Sequence, residues 1–194
     1  EDELMVMIAA LELNRPVKWI EDRFESLLTT THARDDIHEV AVAFDNDGTL
    51  KGLRVDGRRN VGARLAVFGG GPLFTTFGLV PGPYRWESVR GVGRLVATTT
   101  MSTGAYRGFG QTQAALIRER AVDLVARELD IDPVELREMN MISADELPYQ
   151  MRTLMKFDNG DYPAALRRAS ELITGAPDPP DDDRVRGIGY CSYV

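Results

Sequence analysis

Residues 103–129, TGAYRGFGQTQAALIRERAVDLVAREL, constrain the fold more than any other part of the sequence. Glycines surround an arginine and a phenylalanine, and a helical pattern follows at once. Glycine lets the backbone approach a ligand closely, and the free N–H groups of a helix N-terminus attract oxyanions. The segment therefore predicts a loop that opens a helix and holds an anionic group. A tight turn that needs glycine only for its dihedral angles explains the loop equally well.

The residues after this loop recur at helical spacing. The apolar positions that should face a core are Ala114, Ile117, Ala121, Leu124 and Val125. The charged positions that should face solvent are Arg118, Glu119, Asp123 and Arg127. This alternation predicts an amphipathic helix packed on a core.

Strand patterns precede the loop. The run SVRGVGRLVATTT is rich in β-branched residues and predicts a strand that ends near Thr100. Apolar residues also alternate over residues 37–44 and resume at Leu53 after the turn sequence DNDGTL, which predicts a hairpin. The intervening residues 68–84 are rich in glycine and proline, and they predict a long loop.

Shorter elements complete the predicted organisation. An N-terminal helix should stop before Pro16, VKWIED should form a short strand, and residues 24–28 a brief helix. Later helices should begin after the N-cap residues Asp132 and Asp161.

The two ends predict that the sequence is a piece of a longer protein, with a trimmed complete domain as the alternative. Glu1 already lies in a helical pattern, and the closing run VRGIGYCSYV is strand-like. We expect an α+β domain over residues 1–175, an acidic proline-rich linker over 176–183, and the start of a further strand or domain over 184–194.

Charge and cysteine content argue against several classes of protein. A net charge of −7 disfavours nucleic acid and anionic membranes as partners. Cys191 is the single cysteine, so a disulfide framework and iron–sulfur ligation within this chain are excluded. His32 and His38 lack the neighbours of a zinc site or a catalytic triad and should lie at the surface. We expect a cytoplasmic protein.

Several stretches together resemble one family. They are RPVKWIEDRFESLLTT, NVGA, VRGVGRLVATTTMSTGAYRGFGQTQ, ELDIDPVELREMNMI, and LPY followed by FDNGDY. In order and spacing they resemble the molybdopterin-binding large subunit of the xanthine dehydrogenase/aldehyde oxidase family, the molybdenum hydroxylases, including its carbon monoxide dehydrogenase-like bacterial branch. The resemblance covers nearly the whole chain. It implies an α+β fold that forms one fragment of the two-part molybdopterin-binding region.

The resemblance also implies roles for individual residues. The positions that match the family's cofactor-binding loop are Ala105, Arg107, Gly108, Gly110 and Gln111. Phe109 would face the substrate channel. The family's catalytic glutamate lies further along its chain, outside this sequence, and no metal ligand is expected here.

The family's chemistry implies the remaining expectations. A molybdenum–molybdopterin cofactor, in its cytosine dinucleotide form, hydroxylates a carbon with oxygen taken from water. Iron–sulfur clusters and FAD on other subunits or domains remove the electrons. The rest of the large subunit completes the site, so the isolated chain should hold no cofactor and be inactive.

Two departures from the family pattern narrow the range of possible substrates. Gly108 stands where carbon monoxide-oxidising members have cysteine, and an ungapped count places Thr75 where purine-oxidising members have arginine. An aldehyde or an N-heterocycle is therefore the expected substrate. The alternative is a non-catalytic module that kept the fold and binds anions or partner proteins.

Overall fold

The computed structural model describes residues 2–153, 155–175 and 186–193. Its helices are α1 (Asp2–Leu13), α2 (Arg23–Thr29), α3 (Gly71–Leu79), α4 (Gln111–Leu129), α5 (Pro133–Asn140) and α6 (Tyr162–Thr174), with a short 3-10 helix at Ala144–Glu146. Its strands are β1 (Asp36–Phe44), β2 (Leu50–Gly62), β3 (Ser88–Ala97), β4 (Tyr149–Gln150) and β5 (Lys156–Phe157). This mixture confirms the α+β class, and α1 and α2 confirm the two N-terminal helices.

A three-stranded sheet in the order β1-β2-β3 organises the chain. The predicted hairpin is confirmed: β1 and β2 are antiparallel, with Val40 opposite Val55. Strands β2 and β3 are parallel, with Val55 beside Gly91. Parallel neighbours need a crossover connection, and α3 lies within it.

The core lies between this sheet and α4. Leu53 and Val55 of β2 pack with Val122 and Val125 of α4, and Leu136 of α5 joins them. Asp132 caps α5 by accepting hydrogen bonds from two backbone N–H groups, and the Asp161 side chain does the same for one N–H of α6. Both predicted N-caps are therefore confirmed. Helices α1 and α2 bury no residue.

The Asn140 carboxamide links α5 to the hairpin turn. Its Oδ1 accepts a hydrogen bond from the Leu50 N–H at 2.9 Å. Its Nδ2 donates to the carbonyls of Gly48, at 2.9 Å, and Leu136, at 2.8 Å. The side chain is 3% exposed and serves as a hydrogen-bond partner for a turn far away in sequence.

The predicted loop over residues 68–84 is wrong, because α3 occupies its centre. Pro72 lies in the first turn of the helix, where a missing N–H costs little. Leu73 and Thr76 are buried, and Phe77 packs against Gly91 of β3. Burial of one helix face on the sheet outweighs the low helix propensity of the glycines.

Two predicted strands are also wrong. The VKWIED stretch forms no strand, and its Trp19 and Ile20 side chains are exposed, so it lacks the burial that stabilises a strand. Residues 186–193 form no strand either; they pack against α4 and α6 instead. The predicted linker over 176–183 lies outside the described residues.

Candidate functional site in the loop before α4

The loop between β3 and α4 has the predicted form. Strand β3 ends at Ala97, α4 begins at Gln111, and the intervening residues form bends and turns. The Phe109 N–H donates to the Tyr106 carbonyl at 2.8 Å, and the Gln111 N–H donates to the Gly108 carbonyl at 2.7 Å. Two successive turns therefore deliver the chain to the helix.

Two of the three glycines of this loop have a backbone conformation that favours glycine. Gly108 and Gly110 have φ values of +91° and +99°, which side-chain-bearing residues rarely adopt. A Cβ atom on Gly110 would lie 2.2 Å from the Pro72 carbonyl oxygen, so the loop packs directly on α3. On Gly108 the nearest atom would be Cγ2 of Thr112, at 3.2 Å. The turn explanation therefore accounts for Gly110 and leaves space beside Gly108.

Arg34 fastens the outer part of the loop, which the sequence did not indicate. Its Nη2 donates to the Arg107 carbonyl at 2.5 Å, and its Nε donates to Oγ1 of Thr112 at 3.2 Å. The guanidinium carbon lies 4.6 Å from the centre of the Tyr106 ring, a cation–π distance. More than 70 residues separate Arg34 from these partners, so no local sequence pattern could reveal them.

A buried ion pair fixes the start of the loop. Arg59, 1% exposed, makes two hydrogen bonds to the Asp36 carboxylate at 2.9 and 3.0 Å. The same guanidinium donates to the carbonyls of Gly69 and Gly104, and Gln113 donates to Asp36. Because each of these hydrogen bonds includes a charged group, the network anchors the start of the loop to the sheet.

The predicted cofactor residues differ in exposure, and Gly110 lies on the inner side of the loop. Ala105 and Arg107 are exposed, Gly108 and Gln111 are half-buried, and Gly110 is buried. Within the described part of the chain, the Arg107 guanidinium makes no hydrogen bond or ion pair. Residues 104–111 contain no carboxylate, so the loop itself offers Arg107 no counter-charge.

Phe109 is half-buried against the first turn of α3. A Cβ atom on Gly71 would lie 2.5 Å from its Cζ, so the ring occupies the space that this glycine leaves. Its ring centre lies 6.4 Å from that of Phe68 at an angle of 76°, an edge-on pair. Phe68 is 69% exposed, so the pair borders solvent on one side.

The expected surface position of His38 is wrong. Both ring nitrogens are buried and have no hydrogen-bond partner among the residues that the structure describes, and the ring packs over Gly57. Burial away from water lowers the pKa of His38, and the positive charge of Arg59 lowers it further, against the opposing effect of Asp36. His32 is exposed, as predicted. The described residues contain no group of three or more potential metal ligands and no helix able to cross a membrane.

The expected exposure of Arg118 and Glu119 is also wrong, because they form a buried cluster with Tyr84 and Arg137. Glu119 accepts hydrogen bonds from Oη of Tyr84, at 2.9 Å, and from both guanidinium groups, at 2.9 and 3.0 Å. Arg137 also pairs with Asp123 at 2.8 Å. Burial, with the Glu119 carboxylate, raises the pKa of the Tyr84 hydroxyl, which stays protonated as a donor.

The donors of the loop suit a cofactor rich in oxygen and phosphate. They combine the Arg107 guanidinium, which has no partner in the described part of the chain, with the Gln111 carboxamide and the N–H groups at the start of α4. The family described as the molybdopterin cofactor-binding domain matches residues 1–141. This chain belongs to that family. The match confirms the predicted resemblance to the molybdopterin-binding domain of molybdenum hydroxylases.

Individual relatives agree with this membership. The chain is 31% identical over 188 residues to the gamma subunit of the 6-hydroxypseudooxynicotine dehydrogenase complex of Paenarthrobacter nicotinovorans. The alignment covers 93% of this chain and 23% of that protein. The chain is 35% identical over 175 residues to the carbon monoxide dehydrogenase large chain of Hydrogenophaga pseudoflava, covering 86% of this chain and 21% of that one. The chain therefore spans less than a quarter of the length of these relatives.

A solved structure shows the same fold. Quinoline 2-oxidoreductase from Pseudomonas putida 86 superposes with a TM-score of 0.83 at 31% sequence identity. The superposition covers 89% of this chain and 22% of that protein.

Proposed function

We propose that this chain forms one wall of the active site in the large subunit of a molybdenum hydroxylase. The observation that carries the proposal is the Arg107 guanidinium, which has no partner among the described residues, on a loop without carboxylates in a chain whose net charge is −7. Arg107 and Gln111 would hold the cofactor by their side chains. Ala105, Gly108 and Gly110 would let their backbone approach it closely.

When bound, the cofactor supplies the two-electron oxidation and the water-derived oxygen. The residues of this chain contribute binding and orientation. Arg107 neutralises negative charge, and the dipole of α4 adds to the same effect. Phe109 faces the substrate channel and orients an aromatic substrate there. The general base is a glutamate outside this chain.

An aldehyde or an N-heterocycle is the substrate class that we propose. Two relatives are named for the oxidation of an N-heterocycle: quinoline 2-oxidoreductase and the nicotine 6-hydroxylase large subunit of Paenarthrobacter nicotinovorans. Gly108 offers no thiolate to a second metal, which argues against carbon monoxide. Thr75, a half-buried residue of α3, offers no cation to a purine.

The remaining parts of the proposal concern the parent enzyme. The cofactor is the cytosine dinucleotide form, and iron–sulfur and FAD subunits or domains accept the electrons in the cytoplasm. Because several segments grip the cofactor, the isolated chain is expected to carry no molybdenum and no activity. Molybdenum and pterin analysis of the parent subunit and of the isolated chain tests the proposal. A parent subunit without molybdenum would overturn it and favour a non-catalytic binding module.

Two neighbouring substitutions in the parent enzyme separate cofactor binding from substrate binding. Phe109→Ala should lower kcat/KM for an aromatic substrate about tenfold and leave the molybdenum content unchanged, since one aromatic contact contributes roughly 1–1.5 kcal/mol. Gly108→Val should instead lower the molybdenum content, because a branched side chain strains the backbone at φ +91°. Unchanged kinetics per molybdenum in Phe109→Ala would remove Phe109 from the substrate channel.

A further inference from the structure

The segment over residues 186–193 reaches the cofactor loop from outside. The Tyr193 hydroxyl donates a hydrogen bond to Oε1 of Gln111 at 2.8 Å. The Tyr193 hydroxyl oxygen also lies 3.5 Å from the position that a Cβ atom on Gly108 would take. One side chain therefore lies against two predicted cofactor residues, although about 80 residues separate it from them in sequence.

The buried cluster around Glu119 fixes the register of this segment through its backbone. The Arg118 guanidinium donates to the Ser192 carbonyl at 2.6 Å, and the Ser192 N–H donates to Oε1 of Glu119 at 3.3 Å. Arg137 donates to the Tyr190 carbonyl at 3.3 Å. A shift by one residue would break all three bonds, so the cluster determines which side chain reaches the loop.

The Tyr193 hydrogen bond determines how the Gln111 carboxamide can act. A carboxamide has one acceptor oxygen and two N–H donors. Because the oxygen and the NH2 group of a planar carboxamide point in opposite directions, the bond from Tyr193 to the oxygen turns the two N–H donors toward another partner. N–H donors suit the phosphate and carbonyl oxygens of a pterin dinucleotide. A Gln111 carboxamide turned by 180° would instead place its own oxygen against those oxygens and repel them.

We propose that Tyr193 is a positioning residue of the cofactor site, and that it acts through Gln111. This inference rests on the proposed function and extends it to a segment that lies outside the matched residues 1–141. The buried ion cluster is then the device that carries Tyr193 to its place. Tyr193 touches the loop, and the proposal requires no contact between its own side chain and the cofactor.

The test measures cofactor retention in the parent holoenzyme. Tyr193→Phe removes only the hydroxyl, and we expect bound molybdenum and pterin to be lost about tenfold faster during dialysis. The matched control is Tyr162→Phe, which removes a hydroxyl that donates to the Asn159 carbonyl, away from the loop. This control should retain the cofactor at the wild-type rate, and the melting temperatures of both variants should match wild type.

A double variant decides whether Tyr193 acts through Gln111. Gln111→Leu should accelerate cofactor loss by itself, and adding Tyr193→Phe should produce no further acceleration. Additive effects, or wild-type retention in Tyr193→Phe, would overturn the positioning role. A wild-type parent that contains no molybdenum would overturn the proposed function and this inference together, so the two failures can be told apart.

Discussion

Two arginines show opposite uses of charge in this chain. Arg137 is 0% exposed, and its guanidinium contacts the carboxylates of Glu119 and Asp123 together with three backbone carbonyls. Arg107 is exposed and has no side-chain partner within the described ranges. A buried charge is tolerated only when it is paired, whereas an exposed one on a rigid loop remains available to a ligand. The comparison separates a charge that maintains the fold from one that we propose serves the site.

The largest effect should come from breaking the paired cluster. Glu119→Gln leaves Arg118 and Arg137 buried without their shared counter-charge, so the free energy of unfolding should fall by about 3–5 kcal/mol. The matched control is Glu128→Gln on the exposed side of the same helix, with a change within about 0.5 kcal/mol. Urea unfolding of the three proteins measures both values. A loss of unfolding free energy below about 1 kcal/mol for Glu119→Gln would show that the buried arginines do not depend on Glu119 as their counter-charge.

A smaller loss is expected where the loop packs on α3. Gly110→Ala combines an unfavourable φ of +99° with a Cβ only 2.2 Å from the Pro72 carbonyl oxygen, and should cost roughly 2–3 kcal/mol. Gly78→Ala in α3 is the control, since a Cβ atom there meets nothing within 4 Å. It should leave stability unchanged or raise it by about 0.4–1 kcal/mol. Equal effects of the two changes would show that the loop does not depend on this contact.

His38 should give a smaller, pH-dependent effect. Its pKa is lowered in the folded state, so its contribution to stability is complete above the unfolded value near 6.5. That contribution is lost as the pH falls from there through the folded pKa, which burial lowers, Asp36 raises and Arg59 lowers. His38→Leu should therefore flatten the fall in unfolding free energy below pH 6.5. An unchanged pH profile would mean that other groups cause the fall.

The smallest effect on stability is expected for Arg107. Arg107→Gln should change the free energy of unfolding by less than about 0.5 kcal/mol, because the guanidinium has no partner to lose. In the parent subunit the same change should lower the molybdenum content, measured by metal analysis. A loss of stability above about 1 kcal/mol would place Arg107 with the structural charges instead.

The sequence predicted elements whose periodicity is local. The hairpin and α4 follow regular alternations of apolar residues, and the loop before α4 is bounded by both. The sequence did not predict α3, because glycines at the helix ends obscured the buried face around Leu73. It failed also for Arg118 and Glu119, since helical spacing cannot show that Tyr84 and the segment near Ser192 cover that side of α4.

The same limit applied to the candidate site. The residues of the loop itself were predicted from the family resemblance, and their role in binding a cofactor stays a prediction. Arg34 and Tyr193 were missed, because each reaches the loop from a distance of more than 70 residues. Contacts of this kind depend on the tertiary arrangement, and one sequence carries no local signal for them.

The Asn140 carboxamide has a consequence for synthesis on the ribosome. The hairpin turn lacks its partner for the Leu50 N–H until Asn140 has been translated, 90 residues later. By then the loop before α4 and the whole of α4 have already been made. The nascent hairpin therefore becomes locked to the rest of the domain only when α5 arrives, which makes the end of α5 the earliest point at which a growing chain can close this part of its core.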